Sequence, residues 1–321
     1  MSKPTYANLY NLDSFKTLQN EIKTKGNFKD ALPNGLIMGR SLEYIDPKIF
    51  EQQYPDLTFE QTGVCIDNSG GYATSITKRK RGISGEFREV NDDASNKGKI
   101  SLIGEKGSLL VHSYEAHSNW TRTEVAQASV ENRDIVGEFI SAHNEIYRRD
   151  IDTIFYIGKG TITEGISNYS GFATDTASGY ISTLTGQQAY RTIANFIEAQ
   201  WTAAVNVKSY MANIVILPVE VNNYLAKTPY GVNENPDTVL TVLKKNFPEI
   251  KFITTYQANK TGNVTAISNS DNALSFRIPL PLEFSDIFIH GFKGEFDTAY
   301  RIAGIDVSEN IAGRHLAGLI A

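Results

Sequence analysis

Two histidines and a glutamate crowd the segment His112-Ser-Tyr-Glu115-Ala-His117, residue types that could together ligate a metal. A zinc site needs three or four donors converging on one point. Side chains alternate along a strand, so residues 112 and 117 would point to opposite faces. In a helix they lie about 500° apart at roughly 100° per residue, again off one face. No metal is expected here. Gly158-Lys159-Gly160-Thr161 shares letters with a phosphate loop. The full pattern is glycine, four free positions, then Gly-Lys-Ser/Thr, whereas here glycine follows the lysine and the segment trails a helical pattern. It reads as a loop. Cys65 has no histidine within twenty residues, and no Gly-x-Ser-x-Gly elbow occurs. The acids Glu131, Asp134, Glu138, Glu145 and Asp152 read as solvated helix faces. The expectation is no catalytic residue and no cofactor.

One cluster does promise an interaction. Lys78-Arg79-Lys80-Arg81 is a basic quartet that could meet carboxylates or phosphates. Glycines at 82 and 85 follow it, and the next segment is acidic, with Glu86, Glu89, Asp92 and Asp93. Two limbs of opposite charge around glycines suggest a protruding hairpin, with Tyr72 to Ile76 as a strand and Glu86 to Asp93 as the return. Such a hairpin buries little of itself and has to find a partner surface. The other readings of the quartet are a nucleic-acid contact and a solvated loop.

Composition bounds the partners. The 321 residues carry 31 Lys+Arg against 36 Asp+Glu, a formal charge of -5. A surface built throughout for nucleic acid is normally basic. With 41% hydrophobic and 21% charged residues the chain is globular in character. A single cysteine precludes an intrachain disulfide framework and fits a reducing cytoplasm. No stretch of about 18 apolar residues could span a bilayer, and the polar, aromatic start has no signal-peptide character. No membrane partner is expected.

The elements that would hold the quartet follow from periodicity. Residues 1–60 read as an extended arm with short helical pieces, punctuated by prolines at 33, 47 and 55. Ile100 to Ile103 and Leu109 to Tyr114 are strand-like and broken by Gly104 and Gly107. Thr121-Arg122-Thr123-Glu124 fits a capping box. Behind it, Val125, Ala128, Ile135, Phe139, Ala142 and Ile146 recur at helical spacing, with no proline between residue 119 and Pro218. The pattern predicts one helix from about residue 122 to at least 147, continuing to about 157. Some 30 residues at 1.5 Å each make a rod of about 50 Å. Val125, Ile135, Phe139 and Ile146 would be its core face, packed on strands at 100–117 and near 284–300. A second helix follows Gly186 with Ala189, Ile193, Phe196, Ile197 and Gln200 in phase. Asn213-Ile-Val-Ile-Leu217, with Pro218 behind it, reads as a buried central strand. Short helices around 219–226 and 237–245 and a strand at 251–256 come next.

This order of parts resembles that of tailed-bacteriophage major capsid proteins of the Hong Kong 97 type: arm, long charged hairpin, spine helix, then a mixed domain. Glu164-Gly-Ile-Ser-Asn168 is similar to the Gly-Leu/Ile-x-Asn signature that follows the spine helix in that family. Asn213 to Pro218 with Tyr224-Leu225 resembles its strand, proline and tyrosine element. Ala299-Tyr-Arg-Ile-Ala-Gly304 resembles the strand closing its axial domain. The resemblance covers about residues 35–320 and implies an α+β fold. Its parts would be an N-terminal arm at 1–60, an E-loop hairpin at 61–98, a peripheral domain at 99–159 plus about 284–300, and an axial domain with a central mixed sheet at 160–283 and 301–321.

The function implied is structural: self-assembly into hexamers and pentamers of an icosahedral head enclosing double-stranded DNA without sequence specificity. Assembly would take place in the host cytoplasm. A portal and decoration proteins would be further partners, and a chain starting at Met1 leaves no room for a cleavable scaffolding segment, which implies a separate scaffolding protein or none. Lys78, Arg79, Lys80, Arg81, Glu86 and Glu89 would make the intersubunit contacts of the E-loop. Some family members crosslink an E-loop lysine to a neighbour's asparagine. Lys78 or Lys80 with Asn310 match that pair only in outline, which leaves a crosslink open. An encapsulin-like nanocompartment shell, or a soluble α/β enzyme with an N-terminal extension, are the other readings of the same pattern.

Overall fold

The computed structural model describes residues 55–87, 99–130, 133–205, 207–231 and 237–320. The expected arm therefore lies almost wholly outside the described residues, as do Glu89, Asp92 and Asp93 of the acidic segment. In chain order, α1 (Phe59–Thr62) and β1 (Cys65–Asp67) lead into a ribbon of β2 (Ser75–Gly85) and β3 (Ile100–Leu110). Then come β4 (His112–Thr121), α2 (Arg122–Val130) and α3 (Ile135–Tyr156). The second half holds β5 (Ala173–Thr176), α4 (Gly186–Ala203), β6 (Ile214–Pro218), α5 (Val219–Lys227), α6 (Val239–Asn246), β7 (Lys251–Thr255) and α7 (Tyr256–Thr261). Seven strands close the chain: β8 (Val264–Ile267), β9 (Leu274–Arg277), β10 (Leu280–Phe284), β11 (Phe288–His290), β12 (Lys293–Ile302), β13 (Gly304–Val307) and β14 (Gly313–Ala317).

The architecture is α+β, with a mixed five-stranded sheet in the order β5-β14-β8-β6-β7. The expected central strand is β6, and all five of its residues are buried. Alternation explains its unbroken apolar run. Ile214 and Ile216 enter one hydrophobic core with Phe155, Tyr156, Ile166 and Phe276. Val215 and Leu217 enter a second core with Ile193, Phe196, Ile197, Val221 and Leu243 from α4, α5 and α6. A strand covered on both faces has no polar side to show. α4 starts at a capping box in which Thr185 and Gln188 each satisfy the other's backbone N–H. The cap of α6 is Thr238, so that helix begins at Val239, two residues later than the expected 237.

Three expectations need correction. The single spine helix is two helices. The capping box at Thr121 and Glu124 forms as expected, with Glu124 Oε2 accepting from the Thr121 N–H at 2.7 Å. α2 then ends, the Arg133 N–H reaching back to the Ala128 carbonyl, and Asp134 is extended with ψ 92° before α3 begins. Arg133 closes the junction by a two-toothed ion pair to Glu138. The return limb of the hairpin is also not the acidic 86–93 segment. It is β3, which pairs with all of β2 from Ser75↔Leu110 to Gly85↔Ile100 and runs straight through Gly104 and Gly107. Glycines end a strand only where the chain must turn, and a ribbon exposed on its faces asks little packing of them. Finally, Ile146 is not a core residue: it is 56% exposed. The inner stripe of α3 is instead Phe139, His143, Tyr147, Ile151, Ile154 and Phe155.

The sheet of β4, β12, β10 and β11 explains that phase. β4 and β12 pair along ten residues, with β10 and β11 on the other edge of β12. His143 faces it between Ser118 Oγ and Thr298 Oγ1, each 2.7 Å from a ring nitrogen. Phe296 and Phe284 tilt against the same ring. Tyr147 meets Tyr300 edge-on, and Tyr300 stacks on Tyr114 while its hydroxyl donates to Asp150. An isoleucine would leave the serine and threonine hydroxyls short of partners, so the imidazole occupies the inner position.

The C-terminal end of α3 is answered by the Glu164–Asn168 turn. The backbone N–H groups of Ile166 and Ser167 donate to the carbonyls of Phe155 and Tyr156 at 2.7 and 2.9 Å. The Asn168 amide donates to the carbonyls of Ile157 and Thr163, and its oxygen accepts from the Gly165 N–H at 2.6 Å. A Cβ on Gly165 would lie 2.3 Å from Ile157 N, against backbone that cannot move aside. Gly165→Ala should therefore yield insoluble protein. Asn168→Ala, which strips three bonds, should lower unfolding free energy by about 1–3 kcal/mol in urea titrations.

Burial holds the imidazoles of His143 and His315 below the ordinary histidine range. His315 sits between Thr265 Oγ1 and the Tyr169 carbonyl. In the unfolded chain both take up protons below about pH 6.5, whereas in the fold they resist. The unfolded state then binds more protons, so stability is complete above that value and falls as pH drops through it. Urea midpoints should be lower at about pH 5.5 than at about 7.5, and the difference should shrink in a His143→Gln, His315→Gln double variant.

Candidate intersubunit surface

The β2–β3 ribbon stands largely in solvent, with no buried residue among those described on either strand. Its eleven residue pairs span about 36 Å at roughly 3.3 Å per residue. A pleated ribbon puts alternate residues on opposite faces, which divides the basic quartet. Lys78 and Lys80 face the chain's own body. Lys78 Nζ is 2.5 Å from Asp306 Oδ1 and 3.4 Å from Ser308 Oγ, and Lys80 Nζ is 3.3 Å from Glu309 Oε1. Both lysines therefore have acidic partners within the chain itself.

Arg79 and Arg81 lie on the outward face, exposed, and neither forms an ion pair with a described residue. The register places Ile83, Leu102 and Lys106 on that same face. Phe87, 92% exposed, and Ile100 mark the far end beside the exposed Glu86, and Ile103 stands on the inner face beyond Lys80. The outward face thus pairs a basic stem with an apolar tip. A contiguous apolar patch of this kind is unusual on a free monomer.

The other sequence-derived positions divide as well. Val125 and Ile135 are half-buried, and so is Phe139, whose ring stacks on Trp120 at 6.1 Å. His112 and His117 lie on β4 but not together: His112 Nδ1 meets Thr161 Oγ1 at 2.9 Å, and His117 Nδ1 meets Asp297 at 2.7 Å. Among the described residues no three histidine, cysteine or acidic side chains gather as metal ligands. Lys159 is bound to Asp150 at 2.6 Å, in a turn where Gly158 and Gly160 have positive φ. Burial and the Asp271 carboxylate push the Cys65 thiol up, so it is a poor thiolate. No described helix is long and apolar enough to cross a membrane.

Asp306, Glu309 and Arg277 were missed in the sequence. A lone acid inside the apolar run Gly304–Val307 was the available signal, since a charge on a buried strand needs a counter-charge.

Comparison with known proteins decides the family. The model of the family described as "Major capsid protein" matches residues 90–315. The chain belongs to the major capsid protein family. It is 38% identical to a chain of the capsid of Myoviridae phage XM1, with a TM-score of 0.80, covering 89% of this chain and all of that one. Two more distant capsids share the fold. The capsid of the native GTA particle has 12% identity and a TM-score of 0.61 over 89% of this chain and 99% of that one. The bacteriophage PhiM1 mature capsid has 10% and 0.59 over 86% and 91%. None of the curated proteins matches. This capsid protein is a structural component of a phage virion and not an enzyme, and it assembles with copies of itself into a shell.

The packing of α3 makes a specific demand. Phe139 is the fifth residue of α3, beyond the first turn where proline is tolerated. Phe139→Pro should cost about 3 kcal/mol or more in addition to the lost Trp120 contact, and abolish soluble expression. Ile146→Gln should change the urea-unfolding free energy by no more than about 0.5 kcal/mol.

Proposed function

We propose that the chain forms hexamers and pentamers of an icosahedral head around double-stranded DNA. In this reading residues 1–60 act as the N-terminal arm and the ribbon, with β3 as its return strand, acts as the E-loop. The two α3-side segments, about 112–159 and 284–300, form the peripheral domain. Residues 160–283 and 301–321 form the axial domain. Assembly takes place in the host cytoplasm, with a portal and separate scaffolding or decoration proteins as further partners.

One observation carries the reading: the outward face of the ribbon, with Arg79 and Arg81 on the stem and Ile83, Leu102 and Ile100 toward the tip, beyond which Phe87 is exposed. A two-stranded ribbon is marginal alone. Laid over a neighbouring subunit, it would bury its apolar end and offer its arginines to carboxylates there. Such charge pairs govern register and approach more than affinity. Strength would come from repetition, because many weak contacts per subunit act together in a closed shell. A net charge of -5 supports enclosing DNA without holding it, since phosphate binding scales with the number of cations presented.

The test begins with electron microscopy of the purified protein, which should show closed shells. Arg79→Glu with Arg81→Glu should keep the wild-type circular dichroism spectrum and melting temperature yet give no shells or aberrant ones. Normal shells from that double variant would remove the arginines from the interface.

A further inference from the structure

We infer that the buried Asp306 carboxylate, held by Arg277, fixes the direction in which the ribbon leaves the body by gripping Lys78. The argument starts with a chain of alternating charges. Lys78 on β2 pairs with Asp306 on β13, Arg277 Nε on β9 donates to the other Asp306 oxygen at 2.9 Å, and the same guanidinium pairs with Asp67 at the end of β1. Asp306 is only 4% exposed and Lys78 24%. Hydrogen bonds from Ser69 and the Arg277 charge hold the Asp67 carboxyl below its ordinary value.

The geometry of this circuit matters more than its strength. Asp67 and Lys78 flank the short turn from which the ribbon springs, and both are tied to the one Arg277–Asp306 pair. β1 is fixed to β9 in parallel pairing, and β13 to β9 in antiparallel pairing. The seat is therefore part of a sheet, whereas the ribbon pairs only with itself among the described strands. Rotating the ribbon at its root would pull Lys78 off a desolvated carboxylate that has only Arg277 left. The second tie, Lys80 to Glu309, is exposed on both sides and is correspondingly weak. Lys78 is a positioning residue: it directs a surface that other side chains use.

The test separates the latch from the shell. Nitroxide labels on Ile83→Cys in the ribbon and Glu198→Cys on α4, in a Cys65→Ser background, report the ribbon's direction in dilute, unassembled full-length protein. The parent should give one narrow distance peak. Lys78→Met should lose that peak while keeping its melting profile, because Asp306 still has Arg277. Lys78→Arg should recover it, and Lys80→Met should largely keep it. An already broad parent distribution, or an unchanged peak in Lys78→Met, overturns the latch. That the direction serves assembly rests on the intersubunit reading proposed above. Lys78→Met should therefore form shells with a loss of yield or regularity that Lys78→Arg repairs. A lost peak with shells formed at the parent's rate would keep the latch and overturn its part in assembly. Absence of shells from the parent would instead overturn the shell reading itself.

Discussion

The carbonyls at the end of α3 have to be answered inside the protein, and the rest of the core depends on how that is done. The last turn of a helix has four carbonyls without helical partners, and here it lies among Phe155, Tyr156 and Ile154, all fully buried. Water cannot serve them there. The chain therefore reverses at Gly158 and lays the Gly165–Asn168 turn across the helix end, so that Ile166, Ser167 and Asn168 supply the donors. Ile162 and Ile166 thereby enter the same core as Ile214 and Ile216 of the central strand. One solution to a backbone problem thus joins the long helix to the mixed sheet.

The same region also collects the start of the described chain. Asp152, buried on α3, accepts from the backbone N–H groups of Thr58 and Phe59 at 2.9 and 3.0 Å and so caps α1. Burial raises its carboxyl above the ordinary aspartate range despite those two bonds. Phe59 then packs between Phe155 and Phe276. Elements from three distant parts of the sequence meet on one helix turn, and each brings either a hydrogen bond or an aromatic ring.

Away from this centre the balance is reversed. The ribbon leaves isoleucines, leucines and a phenylalanine in water, and the ion pairs of Lys78 and Lys80 tie it to the body. That distribution suits a subunit completed by its neighbours: apolar area buried within a shell adds about 25 cal/mol per Å² to the assembled state and nothing to the free one. The cost is a monomer with a sticky edge. The Lys78–Asp306–Arg277 chain restrains that edge without burying it.

How much of this was legible depends on the range of the forces involved. The buried strand at 213–217, the helix after Gly186, the capping box at Thr121 and the existence of a hairpin near the basic quartet all follow from neighbours along the chain. Periodicity and capping are local, so sequence alone determined them, and the order of the parts was enough to suggest the family. The break between α2 and α3 was not legible, because no proline or glycine marks it. An N–H of Arg133 and a carboxylate of Glu138 decide it in space. Nor was the return strand of the hairpin, since pairing residues 75–85 with 100–110 rather than 86–93 is a choice between registers made along the whole ribbon. Strand alternation separates Lys78 and Lys80 from Arg79 and Arg81, yet it does not say which pair faces the body. Only the tertiary structure decided that, by placing a buried carboxylate more than two hundred residues away beside one of the two faces.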